Sequence, residues 1–124
     1  MKENKQVLLI DDSAVQREMQ SMLLVERGLA EDRINGAGDG REALALLESR
    51  VYQLIVVDWN MPNMNGLEFL RTLRKTNQET PVVMVTSESE QDRYLEAMEA
   101  GASAFLNKPL HEEEYWATIE PFLV

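Results

Sequence analysis

Leu54-Ile55-Val56-Val57, followed at once by Asp58, is the stretch on which the fold turns. Four aliphatic residues run together with no polar alternate. A strand with one face in water alternates apolar and polar side chains. An unbroken run fits a strand covered on both faces, as in a parallel sheet. Val7-Leu8-Leu9-Ile10, Val82-Val83-Met84-Val85 and Ala104-Phe105-Leu106 repeat the pattern, and a weaker fifth strand falls around Arg33 to Ala37.

Helical patterns fill the intervals. Val15, Met19, Met22 and Leu23 recur at i, i+4, i+7 and i+8, which predicts an apolar helix face, with Gly28 placed to end the helix. Residues 41–49 carry Ala43, Leu44, Leu46 and Leu47; residues 66–76 carry Leu67, Phe69, Leu70 and Leu73; residues 89–100 carry Tyr94, Leu95, Ala97 and Met98. A last segment, 111–120, carries Tyr115, Trp116 and Ile119 before Pro121, which should end or distort it. Strand and helix therefore alternate five times, which predicts an α/β fold with a parallel sheet and right-handed crossovers. No linker, repeat or low-complexity segment interrupts the pattern, so residues 1–124 read as a single domain.

Composition removes several classes of function. The chain has 124 residues with 22 Asp and Glu against 12 Lys and Arg, a net charge of −10. Nucleic acid needs a basic patch that displaces counterions, so direct contact with it is not expected. The acidic balance favours neutral, basic or cationic partners. The sequence has no cysteine and a single histidine, His111, which excludes disulfides, thiolate metal sites, cysteine nucleophiles and multi-histidine metal sites. No signal-peptide core and no membrane-length apolar stretch exists, so a cytoplasmic location without membrane partners is expected. Any chemistry must use hydroxyls, lysines and carboxylates.

Open parallel sheets bind ligands beyond the carboxyl ends of their strands. The residues there are Asp11 and Asp12 after the first strand, Asp58 at the third, Thr86 and Ser87 at the fourth, and Asn107-Lys108-Pro109 at the fifth. Separately, each has an ordinary structural reading. Ser13 suits a helix cap, Asp39-Gly40 a turn and helix entry, and Thr86 or Ser87 a cap for the fourth helix. Together they place three acids, a hydroxyl and an ammonium on one rim. Crowded carboxylates resist ionisation. A hard divalent cation relieves that, and Mg²⁺ characteristically takes one or two carboxylates and completes its shell with water and phosphate oxygens. With Lys108 such a site is close to neutral and can receive a phosphoryl group. Asp58, alone at its strand end, is the candidate nucleophile on phosphorus, and Asp11 with Asp12 the candidate metal pair.

These residues carry a family resemblance. Val57-Asp58-Trp59-Asn60-Met61-Pro62-Asn63-Met64-Asn65-Gly66-Leu67 resembles the phosphorylation loop of bacterial two-component response regulator receiver domains of the CheY-like kind. Asp11-Asp12-Ser13, Met84-Val85-Thr86-Ser87, Ala100-Gly101-Ala102-Ser103 and Lys108-Pro109 are similar to its other signatures, in order along the whole chain. The resemblance implies a flavodoxin-like, doubly wound (βα)5 three-layer sandwich, with five parallel strands in the order 2-1-3-4-5. Its implied function is a phosphorelay switch, not a turnover enzyme. Asp58 would accept a phosphoryl group from a histidine kinase or phosphotransfer protein. Asp12, Asp58 and the Asn60 carbonyl would hold Mg²⁺, with Asp11 acting through water. Lys108 would pair with Asp58 and then with the phosphoryl oxygens, Thr86 would hydrogen-bond the new group, and the Lys108-Pro109 bond would be cis. Asn60 and Glu88 would tune dephosphorylation.

Output would run through the face of the fourth helix, fifth strand and fifth helix, in a monomer or a phosphorylation-dependent dimer. Phe105 stands at the switch position that is often Tyr in chemotaxis regulators and brings no hydroxyl. Glu112-Glu113-Glu114 makes the last helix unusually acidic. Both departures bear on partner choice, so a chemotaxis role stays open, as does a receiver cut from a larger regulator. A phosphatase of the haloacid dehalogenase type would need a second Asp where Ser13 stands. A flavin module would need a phosphate cradle where Asp11 and Asp12 would repel the phosphate.

Overall fold

In the computed structural model, which describes residues 5–87 and 91–124, each unbroken apolar run forms a strand. The elements are β1 (Val7–Ile10), α1 (Ala14–Glu26), β2 (Ile34–Ala37), α2 (Gly40–Leu47), β3 (Leu54–Asp58), α3 (Gly66–Arg74), β4 (Val82–Thr86), α4 (Gln91–Glu99), β5 (Ala104–Asn107) and α5 (Glu112–Ile119). Short 3₁₀ turns at Glu31–Arg33 and Glu120–Phe122 precede β2 and follow α5. Pro121 thus tightens the chain after α5, as its missing N–H requires. All strand pairs are parallel, in the order β2-β1-β3-β4-β5.

Alternation along the strands divides the core in two. Leu8, Ile10, Ile55, Val57 and Met84 point to one side, with Phe69 and Leu70 of α3 and Ala97 of α4. Val7, Leu9, Val56, Val83 and Val85 point to the other, with Leu24 of α1 and Tyr115, Trp116 and Ile119 of α5. Three layers result, and a strand buried on both faces has no use for a polar alternate. β3 and β4 run one residue past their aliphatic runs, so Asp58 and Thr86 are the last residues of buried strands.

Local signals explain the helix ends. Ser13 caps α1 by accepting from the Gln16 N–H at 3.2 Å. At its other end Gly28 takes φ +104°, with Leu29 N–H donating to Leu24 O and Gly28 N–H to Val25 O. That left-handed stop is one glycine adopts without a Cβ penalty. Asn65 and Glu68 form a reciprocal capping box at the start of α3. The expected cap of α4 falls at the boundary of the described residues.

One helix face differs from the reading of its sequence. Val15, Met19 and Met22 keep helical spacing but point outward, with Val15 75% exposed. The face turned to the sheet holds Gln20 and Leu24. Its polar member has a specific partner, since the buried Tyr115 hydroxyl donates to Gln20 Oε1 at 2.9 Å. A buried hydroxyl left without a bond costs about 1–3 kcal/mol, enough to decide which side of a short helix faces in.

Candidate functional site

Four strand ends meet at one rim. Asp11 and Asp12 follow β1, Asp58 ends β3, Thr86 ends β4, and Lys108 follows β5. One carboxylate oxygen each of Asp11, Asp12 and Asp58 lies within 4.8 Å of the other two. Asp11 and Asp58 are buried and Asp12 is exposed, so the cluster opens to solvent through Asp12. Lys108 Nζ sits 3.0 Å from Asp11 Oδ2 and 3.3 Å from Asp58 Oδ1.

The backbone supplies much of this placement. Trp59 N–H donates to Val85 O at 2.8 Å, and Lys108 N–H to Thr86 O at 2.8 Å, extending the sheet ladder to the residues flanking the acids. Asp11 N–H donates to Ala37 O at 3.0 Å. Gly66 N–H donates to Trp59 O at 2.9 Å. A Cβ at Gly66 would overlap the carbonyl oxygen of Asp58, so only glycine lets α3 start this close to the strand end. The Lys108-Pro109 peptide bond is cis.

The three acids are not equivalent. Asp11 uses both oxygens, accepting from Ser13 N–H at 2.9 Å through Oδ1 and from Lys108 through Oδ2. Asp58 meets only Lys108, through Oδ1, among the described residues. Burial raises the Asp58 carboxyl to about 6, helped by the charges of Asp11 and Asp12 and opposed by Lys108. Burial alone would depress the Lys108 ammonium, but its hydrogen bond to Asp11 and the negative charge of Asp58 outweigh that and hold it above the ordinary lysine value.

Those perturbations reflect an imbalance of charge. Two like charges about 4.8 Å apart repel by about 3–4 kcal/mol at an effective dielectric near 20. One ammonium cannot neutralise three such acids. The excess charge, the all-oxygen donor set and the exposed Asp12 fit a hard divalent cation, which prefers carboxylate, carbonyl and water oxygens. Asn60 is exposed in the loop after β3, two residues beyond Asp58.

Phe105 is half-buried on β5, and the Tyr94 ring of α4 meets it edge to face with centroids 5.6 Å apart. Glu88, expected to tune dephosphorylation, lies outside the described residues. Two participants had no place in the sequence reading. Arg17 Nη1 donates to the backbone carbonyl of Asp11, six residues away, and Arg93 of α4 stands 4.7 Å from the Trp59 ring centroid. Arg17 was findable from helical geometry, because one turn of α1 returns its side chain toward the β1 end. Arg93 carried no signal, since its partner is on another element.

A doubly wound sheet that collects three acids, a hydroxyl and a lysine at its carboxyl rim is the arrangement of a signalling receiver. The chain belongs to the response regulator receiver domain family, whose model matches residues 7–120. It is 36% identical over 105 residues to the chemotaxis protein CheY of Pseudomonas aeruginosa, covering 83% of each chain. The structure of the chemotaxis response regulator CheY4 of Vibrio cholerae superposes with a TM-score of 0.86 at 35% identity, covering 96% of this chain and 98% of that one. Response regulator TrrA of Thermotoga maritima, solved in complex with Mg²⁺ and BeF, matches with a TM-score of 0.85 at 28% identity, over 96% and 99% of the two chains. The protein is therefore a CheY-like receiver domain of a two-component system. Among the described residues no helix is long and apolar enough to cross a membrane.

Proposed function

We propose that this receiver is a phosphorylation switch in which Asp58 takes a phosphoryl group from a phosphohistidine donor. The observation that carries the reading is the inequality of the acids: Asp11 uses both its oxygens, while Asp58 is buried, raised to about 6 and, among the described residues, bonded at Oδ1 alone. A carboxylate displaced upward in this way is a better base and nucleophile than an ordinary one. Its other oxygen attacks phosphorus, the phosphorus–nitrogen bond breaks, and the departing imidazole keeps the electron pair.

Asp12, Asp58 and the Asn60 carbonyl would hold Mg²⁺, with Asp11 acting through water, and the ion would screen the incoming phosphoryl charge. Lys108, already shared between Asp11 and Asp58, would turn its ammonium to a phosphoryl oxygen. Thr86, buried at the end of β4, would offer its hydroxyl to another. Those new bonds would bias an existing two-state equilibrium read out at Phe105 and α4. Two exposed apolar areas support the partner contacts. Val15, Met19 and Met22 form an exposed stripe on α1, and Met19 and Gln16 share a cleft of about 480 Å³ with Lys108 and Pro109, a surface for the phosphodonor. Tyr94 and Leu95 of α4 are exposed beside Phe105, on the proposed output face of α4, β5 and α5.

The reading is tested by incubating the protein with acetyl phosphate and Mg²⁺ and measuring intact mass. One added phosphoryl group is expected on the wild type, and none on Asp58→Asn or on the wild type with EDTA. Labelling that persists in Asp58→Asn removes the assignment.

A further inference from the structure

The loop between β3 and α3 carries the Asn60 carbonyl, and its shape is held from outside the acidic cluster. Asn63 adopts φ +65°, the left-handed region, where asparagine is tolerated better than most side chains. Its Nδ2 donates to Asp39 Oδ2 at 2.8 Å. Asp39 Oδ1 meanwhile caps α2, accepting from the Glu42 N–H at 2.9 Å. One residue further on, Gly40 N–H points at Met64 O at 3.4 Å. The Met64 side chain lies over Gly40 so closely that a Cβ there would sit 2.8 Å from its Sδ and Cγ.

Two consecutive residues at the start of α2 therefore grip two consecutive residues of the loop. The same corner also holds the other side of the cluster, because Ala37 O, two residues before Asp39, receives the Asp11 N–H. The backbone that presents Asp11 and the loop that presents Asn60 thus share one anchor. Helix capping alone would need only one oxygen of Asp39; the second oxygen is spent on the loop.

We propose that Asp39 and Asn63, with Gly40 and Met64, are positioning residues that set Mg²⁺ affinity by fixing where the Asn60 carbonyl points. This rests on the proposed metal site at Asp11, Asp12 and Asp58. Partners that orient a metal ligand without touching the metal are worth about 10–100-fold in affinity, and a clamp acting through a loop belongs near the lower limit.

The test is Mg²⁺ titration of the full chain by calorimetry, with Trp59 emission as a second signal and thermal unfolding as a fold check. Asp39→Ser keeps a helix-capping side chain while removing the acceptor for Asn63. Asn63→Gly keeps the left-handed backbone and every formal charge, so its effect cannot come from a change in net charge. Each variant is expected to weaken Mg²⁺ binding by about fivefold to tenfold. The double variant should be no weaker than the worse single one, because both lose the same bond. Wild-type affinity in Asn63→Gly, or effects that simply multiply in the double variant, would overturn the clamp. If the wild type itself takes up no Mg²⁺, the metal-site reading fails instead, and the two failures are distinguishable.

Discussion

The two ends of the sheet are built from similar strands and treated oppositely. At the amino end polar groups close on one another. Gln6 N–H donates to Gln53 Oε1 and Gln53 N–H to Gln6 O, while Val82 N–H donates to Ser103 Oγ and Ser103 N–H to Val82 O. Arg74 sends Nε and Nη2 to Gly101 O and Nη1 to Asn77 O. A cleft of about 420 Å³ between α2 and α3 opens toward this end, yet Glu48 and Arg50 are the only ionisable residues lining it besides the Tyr52 phenol. At the carboxyl end the acids outnumber their cation, and Asp58 is displaced from its ordinary pKa. Satisfied polar groups stabilise a fold; crowded, undercompensated ones store the potential for a ligand. Clefts open at both ends, so charge balance is what distinguishes them.

That contrast can be broken by moving charge at one end and hydrogen bonds at the other. Asp12→Asn should have the largest effect, weakening Mg²⁺ binding about a hundredfold or more by calorimetry, because it removes an open, charged ligand. Its folding stability without metal should not fall, since it relieves repulsion. A metal-binding loss under tenfold would mean that Asp12 is not a principal ligand.

Asp58→Asn comes next, read as stability of the metal-free protein. The Asp58 carboxyl is raised from 3.8 to about 6 in the folded state, so its contribution is fully present below about pH 4 and is lost as pH rises through 6. A displacement of that size is worth roughly 2–3 kcal/mol. In EDTA the variant should therefore outlast the wild type in urea at pH 7.5 by about that amount, and the gap should close by pH 4. Equal stability at both pH values would mean that the rim does not carry the strain described. At the other end, Arg74→Ala should cost about 2 kcal/mol in stability while leaving Mg²⁺ affinity unchanged. A shift in metal affinity there would blur the distinction between the two ends.

The sequence made the scaffold legible because double-sided burial leaves a visible mark. The runs at Val7–Ile10 and before Asp58 and Thr86 became strands almost residue for residue, and the rim followed from asking what stands after each run. The direction in which the α1 stripe points was not legible, since periodicity reports an apolar stripe without saying which side faces the sheet. Met19 and Met22 are as apolar as core residues, and the buried partner is Gln20, chosen by the Tyr115 hydroxyl 95 positions away. The bond between Asn63 and Asp39 was invisible for the same reason. Asp39 read as a helix entry, which it is, and only the folded chain reveals a task for its second oxygen.

The most direct test of Asp58 as the phosphoacceptor is chemical trapping of the acyl phosphate. After exposure to acetyl phosphate and Mg²⁺, borohydride reduces a phosphorylated aspartate to homoserine and leaves free carboxylates intact. Peptide mass spectrometry should then find homoserine at position 58 alone, and none when EDTA replaces Mg²⁺. Homoserine at position 11 or 12, or at 58 without metal, would contradict the division of roles among the three acids.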